Sequence, residues 1–145
     1  DIVRALLEAG TDINAVDVKH KTPLIDAMIV RSRDLVELLL DNGARADVGN
    51  CNGIIAIEKA IYANYVDLFP KFIRAVDSVN FECCAKRHFL HITWTTLLHI
   101  AHRNRRWEIM RMLLEAGAHI DARDYADVSV HNLLVEKQEH GETQF

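Results

Sequence analysis

The segment LLEAGTDINAVD at residues 6–17 returns near the other end of the chain as LLEAGAHIDARD at residues 113–124. In both copies a glycine, Gly10 or Gly117, follows an amphipathic run whose apolar residues recur at helical spacing. A third glycine, Gly43, follows the same kind of run, and it lies 33 residues after Gly10. Glycine takes a left-handed backbone conformation without a Cβ clash and so closes the last turn of a helix. The repetition therefore predicts an array of small helical units.

Composition limits the class of protein. The chain has 145 residues, half of them hydrophobic, and a net charge of −4. The hydrophobic share supports a packed core, and the acidic balance argues against nucleic-acid binding, since proteins that track phosphates carry a basic surplus. No apolar run is long enough to span a membrane, so no membrane partner is expected. Three cysteines, two of them adjacent, do not form a disulfide framework and favour an intracellular setting, cytoplasmic or nuclear.

The clearest unit lies at residues 17–49. Thr22 supplies a hydroxyl that can cap the first helix, and Pro23 stands at the first helical position, where its missing N–H costs nothing. The run LVELLL at residues 35–40 supplies the second helix, and Gly43 ends it. The Thr-Pro-Leu triplet, the Leu-Val-x-x-Leu-Leu run and the Gly-Ala pair resemble an ankyrin repeat, and 33 residues is the period of that family.

The same register divides the rest of the chain. Gly43 and Gly117 are separated by 74 residues, or 33 and 41, so one unit carries about eight extra residues. We expect an all-α, ankyrin-type helix-turn-helix solenoid of about three to four stacked repeats, with a partial repeat at each end. The predicted parts are a partial repeat at 1–16, a repeat at 17–49, a degenerate repeat with an insertion at 50–90, a repeat at 91–123, a partial or capping repeat at 124–137 and a polar tail at 138–145. The chain opens on a helical pattern without an initiator methionine, and we expect it to be a piece of a longer protein.

The unit at 50–90 departs most from the family pattern. Pro70 falls inside its expected second helix, and Val76 stands where the terminal glycine is expected. Because proline in a helix interior costs about 3 kcal/mol, that helix should begin at Pro70 or break there. The segment at 77–90 is then a longer connection or an extra helical turn. In the next unit, the resemblance gives His99 a structural role, in which its ring ties the turn to its neighbour by hydrogen bonds.

The resemblance also implies a function. Ankyrin-like proteins recognise other proteins on a concave face lined by the first helices and on the projecting turns, which makes this chain an interaction module, a scaffold or adaptor. No nucleophile with a base and an orienting acid is found at interpretable spacing, so neither an enzyme nor a cofactor is expected. The register places the candidate partner-binding residues at the turns and at the ends of the first helices: Val18, Lys19, Lys21, Ile29, Asn52, Ile54, Tyr62, Trp94, Thr95, Arg103 and Arg105.

Three local patterns leave alternatives open. Trp94 either anchors an interface from a projecting turn or folds back onto the inserted segment. The residues CC at 83–84, with His88 and His91, could supply four zinc ligands. Adjacent cysteines seldom face one metal, however, so we favour small apolar thiols and expect no metal. The basic run HRNRRW at 102–107 is either a solvated loop or a surface that attracts an acidic partner segment.

A second function rests on a narrower resemblance. The segments EIMRMLLEAGAHIDA at 108–122 and LLVEK at 133–137 are similar to the last ankyrin repeats of the feminization family of ubiquitin-ligase substrate receptors. In that family the array grips the terminus of a protein that is destined for degradation. The resemblance implies that this chain could be the substrate-recognition part of such a receptor.

Overall fold

The computed structural model describes residues 2–49, 55–81, 83–88 and 91–139, and only the backbone of residues 2, 6, 7, 83–88, 91–94 and 136–139. The chain divides into two compact units, Asp1–Asp77 and Ser78–Phe145. The first unit contains the helices α1 (Ile2–Glu8), α2 (Pro23–Ile29), α3 (Arg33–Asp41), α4 (Ala56–Ala63) and α5 (Phe69–Arg74). The second contains the strands β1 (Cys83–His88) and β2 (His91–Thr95) and the helices α6 (Leu97–Arg103), α7 (Trp107–Glu115) and α8 (Val130–Glu139).

Threonine caps begin the first helix of two repeats. The hydroxyl of Thr22 accepts a hydrogen bond from the backbone N–H of Ile25 at 3.3 Å, and Pro23 occupies the first turn of α2. Thr96 accepts in the same way from the N–H of His99 at 3.4 Å, at the start of α6. Each bond satisfies a backbone donor that the helix itself leaves without a partner. The predicted cap at Thr22 is confirmed.

Left-handed glycines end the second helices. After α3, Gly43 has a φ of 89°, and the next backbone N–H, of Ala44, donates to the carbonyl of Leu39 at 3.0 Å. This bond and the one from the Gly43 N–H to the carbonyl of Leu40, 3.2 Å long, form a Schellman motif. Gly10 and Gly117 have φ angles of 79° and 87° at the equivalent positions. The prediction that glycine closes these helices is confirmed.

Helices of the first unit pack in two layers. The first helices α2 and α4 contact each other, the second helices α3 and α5 contact each other, and each first helix contacts the second helix of its own repeat. The apolar side chains between the layers are almost fully buried; they include Leu24, Ile25, Val36, Leu39, Ile57, Ile61, Phe69 and Phe72. One helix pair could not cover this surface alone, because stacked neighbours in a repeat protein share one core. The all-α, ankyrin-type fold is confirmed.

Asparagine side chains join each turn to the following one. The Oδ1 of Asn14 accepts from the backbone N–H of Arg45 at 2.7 Å, and its Nδ2 donates to the carbonyl of Gly43 at 3.4 Å. In the second unit the Oδ1 of Asn80 accepts from the backbone N–H of His119 at 2.8 Å, and its Nδ2 donates to the carbonyl of Gly117 at 3.0 Å. The repeats are thus held by polar contacts to the backbone as well as by the shared core.

Pro70 lies at the beginning of a helix. The short helix α5 starts one residue earlier, at Phe69, so the proline occupies the first turn, where its missing N–H breaks no helical hydrogen bond. The first of the two predicted outcomes for this segment is therefore confirmed, and the helix is not broken.

Of the two alternatives predicted for residues 77–90, the described residues support the longer connection, which contains the strand β1 of an antiparallel pair. Strands β1 and β2 pair antiparallel, with Cys83 opposite Thr95, and they cross the predicted repeat boundary at residue 90. In the preceding repeat, Gly49 and Ile55 form an antiparallel bridge. Residues 77–81 and 83–88, the described part of the insertion, contain no helical turn. The sequence HITWT of β2 suits a strand, since β-branched and aromatic residues favour one.

The predicted partial repeat near the end of the chain has the same turn as the repeat at 17–49. The Oδ1 of Asp17 accepts from the backbone N–H groups of Lys19 and Lys21, both at 2.8 Å. Asp124 accepts from the N–H groups two and four positions later at 2.9 and 3.3 Å. Ser129 then caps α8 through the N–H of the residue three positions on, at 3.2 Å. Across the described ranges, which end at residue 139, no helix has both the length and the apolar character needed to cross a membrane.

Candidate functional site

A groove of about 550 Å³ opens in the first unit, where the C-terminal ends of α2 and α4 lie side by side. Because α2 and α4 are the first helices of successive repeats, this is the face on which the sequence predicts partner contacts. Two of the predicted residues, Ile29 and Tyr62, meet here. The groove is lined by Met28, Ile29, Arg31, Lys59, Tyr62, Ala63 and Tyr65.

Apolar side chains line the groove without being covered. Ile29 is 51 % exposed and Tyr62 is 43 % exposed, whereas Met28 beside them is buried. Val30, the next residue along the chain, is also largely exposed. An apolar surface of this kind gains free energy when a partner covers it, and partly exposed aromatic residues are frequent anchors of protein interfaces.

Two cations border this apolar surface. Arg31 is exposed and Lys59 is half-buried. Within the part of the chain that the structure describes, neither makes an ion pair, whereas Lys21, Arg33, Arg45 and Lys71 of the same unit each make one or more. The positive charges of the groove are therefore available to an incoming group.

A buried carboxyl group holds Tyr62 in place. The Tyr62 hydroxyl donates to Oε1 of Glu58, one turn earlier on α4, at 3.2 Å. Glu58 is only 8 % exposed, and burial raises the pKa of its carboxyl group; the bond from Tyr62 and the charge of Lys59 oppose that shift. The bond fixes the tyrosine ring with one side towards the groove.

A cation and an aromatic ring stack at Tyr65, the last residue of the groove lining. The guanidinium carbon of Arg33 lies 5.2 Å from the centre of the Tyr65 ring. The same guanidinium group donates a hydrogen bond to the carboxylate of Asp67. The charge of Arg33 is thus already engaged in an ion pair, which neither Arg31 nor Lys59 makes among the described residues.

The predicted residues of the turn at 17–21 differ in accessibility. Val18 is 96 % exposed and Lys19 is exposed, as expected for a projecting turn. Lys21 is half-buried; its ammonium group donates to Asp26 and lies 3.7 Å from Asp17. The hydrogen bond to Asp26 is the main reason why the pKa of Lys21 is raised. Lys21 therefore contributes less free charge to this surface than the sequence suggests.

In the second unit the predicted residues fall into different environments. Thr95 is corrected: its side chain is only 1 % exposed, because the residue lies at the base of the hairpin and not on a projecting turn. Arg103 is exposed, yet its guanidinium group donates to the buried carboxylate of Asp124 and lies 5.6 Å from the centre of the Tyr125 ring. Arg105 is exposed with a φ of 54°.

For three other predicted positions the structure describes no side chain. Asn52 and Ile54 belong to the segment at 50–54, and for Trp94 only the backbone is described, in β2 opposite Cys84. Their roles in partner binding stay predictions, and so does the choice between the two orientations of the tryptophan.

His99 has the structural role that the resemblance implies. The ring is buried, with Nδ1 2.8 Å from the hydroxyl of Thr96, and Nε2 donates to the carbonyl of Val128 at 2.9 Å. Since the carbonyl can only accept, Nε2 carries the proton and Nδ1 accepts from the threonine. The ring thus connects the start of α6 with the turn that precedes α8.

Metal binding was expected to be absent. Among the side chains that the structure describes, no three histidine, cysteine or acidic residues lie close enough to hold a metal ion. The side chains of Cys83, Cys84, His88 and His91 are outside that set. The prediction that they bind no zinc is therefore untested.

Sequence reasoning did not identify the two cations of the groove or the buried carboxyl group that accepts from Tyr62. Arg31, Lys59, Glu58 and Tyr65 were not predicted as site residues. Lys59 precedes Tyr62 by three positions and so lies on the same face of α4, a relation that the helical period contains. The proximity of Arg31 could not be read from the helical period, because that residue lies in the loop after α2.

Comparison with known proteins places the chain in a family. A model described as "Ankyrin repeats (3 copies)" matches residues 1–78, and one described as "Ankyrin repeat" matches residues 94–125. The chain is 25% identical over 122 residues to the human Transient receptor potential cation channel subfamily A member 1, an alignment that covers 83% of this chain and 11% of the channel. It is 36% identical over 85 residues to the mouse B-cell lymphoma 3 protein homolog, covering 58% of this chain and 19% of that protein.

A third relative is the human Ankyrin repeat and SOCS box protein 16, which is 45% identical over 60 residues, or 41% of this chain and 13% of that protein. The chain thus spans less than a fifth of the length of each of these relatives. The first family model alone matches more than half of the chain. The chain belongs to the ankyrin repeat family.

Proposed function

We propose that this chain is a protein–protein interaction module, a scaffold or adaptor, that binds its partner through the groove between the ends of α2 and α4 and through the adjacent turns. Ankyrin repeats generally mediate protein–protein interaction. The observation that carries the proposal is the pair of half-exposed side chains, Ile29 and Tyr62, brought together at the ends of neighbouring helices. A partner that covers them removes apolar surface from water at a place where the backbone is already ordered.

The same proposal includes a statement on catalysis and one on localisation. The chain has no catalytic role of its own, since in the described residues His99 is engaged in structural hydrogen bonds and Glu58 is buried beneath Tyr62. We further propose an intracellular setting, cytoplasmic or nuclear, on the basis of three cysteines that do not fit a disulfide framework.

Affinity capture with matched variants tests the groove. The double variant Ile29→Ser/Tyr62→Ala removes the apolar surface, and Leu114→Ser/Tyr125→Ala removes a partly exposed aliphatic residue and a partly exposed tyrosine elsewhere. Captured proteins are quantified by mass spectrometry, after circular dichroism has shown that both variants are folded. We expect the proteins bound by the wild type to be lost with the first variant and kept with the second. Equal retention by both would remove the groove from the interaction.

A second candidate is the substrate-recognition part of a ubiquitin-ligase receptor. It is supported by the resemblance of residues 108–122 and 133–137 to the feminization family. The name of one relative also joins ankyrin repeats to a SOCS box. Co-purification of cullin and elongin subunits with the full-length protein would favour this candidate, and their repeated absence would count against it.

A further inference from the structure

We propose that the groove between the ends of α2 and α4 binds a peptide segment in which an aliphatic side chain lies next to an aspartate or glutamate. This inference rests on the proposed function and names the class of partner that the groove accepts.

Charge gives the first argument. Arg31 and Lys59 line the groove and make no ion pair among the described residues. Glu58, next to Lys59 in the chain, is buried and accepts a hydrogen bond from Tyr62. Asp34, the acidic residue nearest to Arg31 in the chain, is exposed and makes no ion pair among the described residues. An incoming carboxylate can therefore approach two cations without breaking an existing ion pair, which is the condition under which a charged contact adds to affinity and orientation.

The arrangement of apolar and charged side chains gives the second argument. Arg31 follows Ile29 by two positions, and Lys59 precedes Tyr62 by one helical turn, so each cation has an exposed apolar neighbour. The groove volume of about 550 Å³ exceeds that of a single side chain and suits a short segment of several residues. A segment that places an aliphatic group on Ile29 and Tyr62 brings an adjoining carboxylate to a cation.

The test uses a random-peptide display library selected on the full chain, followed by fluorescence polarisation with fluorescein-labelled synthetic copies of the enriched peptides. We expect these peptides to carry aspartate or glutamate within two positions of leucine, isoleucine or valine. The variant Arg31→Glu/Lys59→Glu should weaken their binding by about tenfold or more, since it replaces two attractive contacts with repulsive ones. The control Arg4→Glu/Arg74→Glu makes the same change in net charge at two exposed positions of the first unit outside the groove and should change binding by less than about twofold.

A charge swap separates a lost contact from a damaged fold. Peptides in which lysine replaces the acidic residue should bind the Arg31→Glu/Lys59→Glu variant more tightly than the original peptides do, which a misfolded variant would not show.

If neutral or basic peptides are enriched and depend on Tyr62, the acidic class is overturned while the proposed function stands. Equal losses in the groove variant and the control also overturn it, because long-range charge then explains the effect. A labelled single-stranded oligonucleotide that binds more tightly than the best peptide at about 0.15 M salt overturns it in favour of nucleic acid. Enrichment of no peptide at all counts against both proposals.

Discussion

Substituting His99 with phenylalanine removes both ring nitrogens and leaves a ring of similar volume in the same buried position. The side chain is 1 % exposed, so little solvent is available to replace the lost contacts. The carbonyl of Val128 loses the bond from Nε2 at 2.9 Å but keeps the one from the backbone N–H of Asp124 at 3.0 Å, and the Thr96 hydroxyl loses its partner at 2.8 Å. The perturbation therefore separates the hydrogen bonds of this residue from its packing.

The expected loss of stability follows from these two bonds. Because the Val128 carbonyl still accepts from the backbone N–H of Asp124, the loss of the bond from Nε2 costs about 0.5–1.5 kcal/mol. The Thr96 hydroxyl still accepts from the backbone N–H of residue 99, so the loss of its hydrogen bond to the ring contributes only about 0.5–1.5 kcal/mol. We expect His99→Phe to lower the free energy of unfolding by about 1–3 kcal/mol, a substantial share of the stability of a small domain.

Urea unfolding followed by circular dichroism measures this loss, and amide hydrogen exchange locates it. The turn from Asp124 to Ser129 should exchange faster than the core of α7, because it loses one of its connections to α6 and keeps only the contact of Arg103 with Asp124 among those described above. His119→Phe is the matched control: His119 is exposed, and the same chemical change there should alter stability by less than about 0.5 kcal/mol. A loss equally small for His99→Phe would refute the role of the ring in holding this turn.

Three further experiments test separate features of the chain. Gly43→Ala should cost about 1–2 kcal/mol in thermal unfolding although a built Cβ meets nothing within 4 Å, because the φ of 89° alone causes the strain; Gly43→Asn should cost less, and equal costs would contradict this cause. Glu58→Gln keeps an acceptor for Tyr62 and should flatten the dependence of stability on pH. Burial raises the pKa of Glu58, so its contribution is complete below the ordinary value of 4.5 and is lost as the pH rises through the raised pKa; parallel urea-unfolding curves for wild type and variant across this range would contradict the assignment. Equilibrium dialysis with zinc should find less than one ion bound per chain, and a stoichiometric ion would make residues 83–91 a metal site.

Local chemistry explains which parts of the fold were predictable. Thr22 and Pro23 start a helix for reasons contained in their own structures, and Gly43 ends one for the same kind of reason. The period of 33 then placed Ile29 and Tyr62 at equivalent helix ends, and the structure brings them into one groove. Elements that depend on capping and on period were therefore accessible from the sequence alone.

The insertion caused the errors in the second unit. Thr95 was assigned to a projecting turn by counting back from Thr96 as if the turn had its ordinary length. The extra residues lengthen the hairpin, so Thr95 pairs with Cys83 at its base and is buried. A period locates the helices on either side of an insertion, but it does not say whether the added residues extend a strand, a loop or a helix.

The two units use one repeat position in different ways. Ile29 and Tyr62 stand at the position that Arg103 occupies in the second unit, at the end of a first helix. The first two are half-exposed and open to a partner, whereas the guanidinium group of Arg103 is engaged by the buried carboxylate of Asp124. Breaking that contact would leave the buried carboxylate of Asp124 without its cation. A binding partner therefore gains less free energy from Arg103 than from the apolar pair. The free energy of binding should therefore come mainly from the first unit, where a partner that covers Ile29 and Tyr62 removes exposed apolar surface from water.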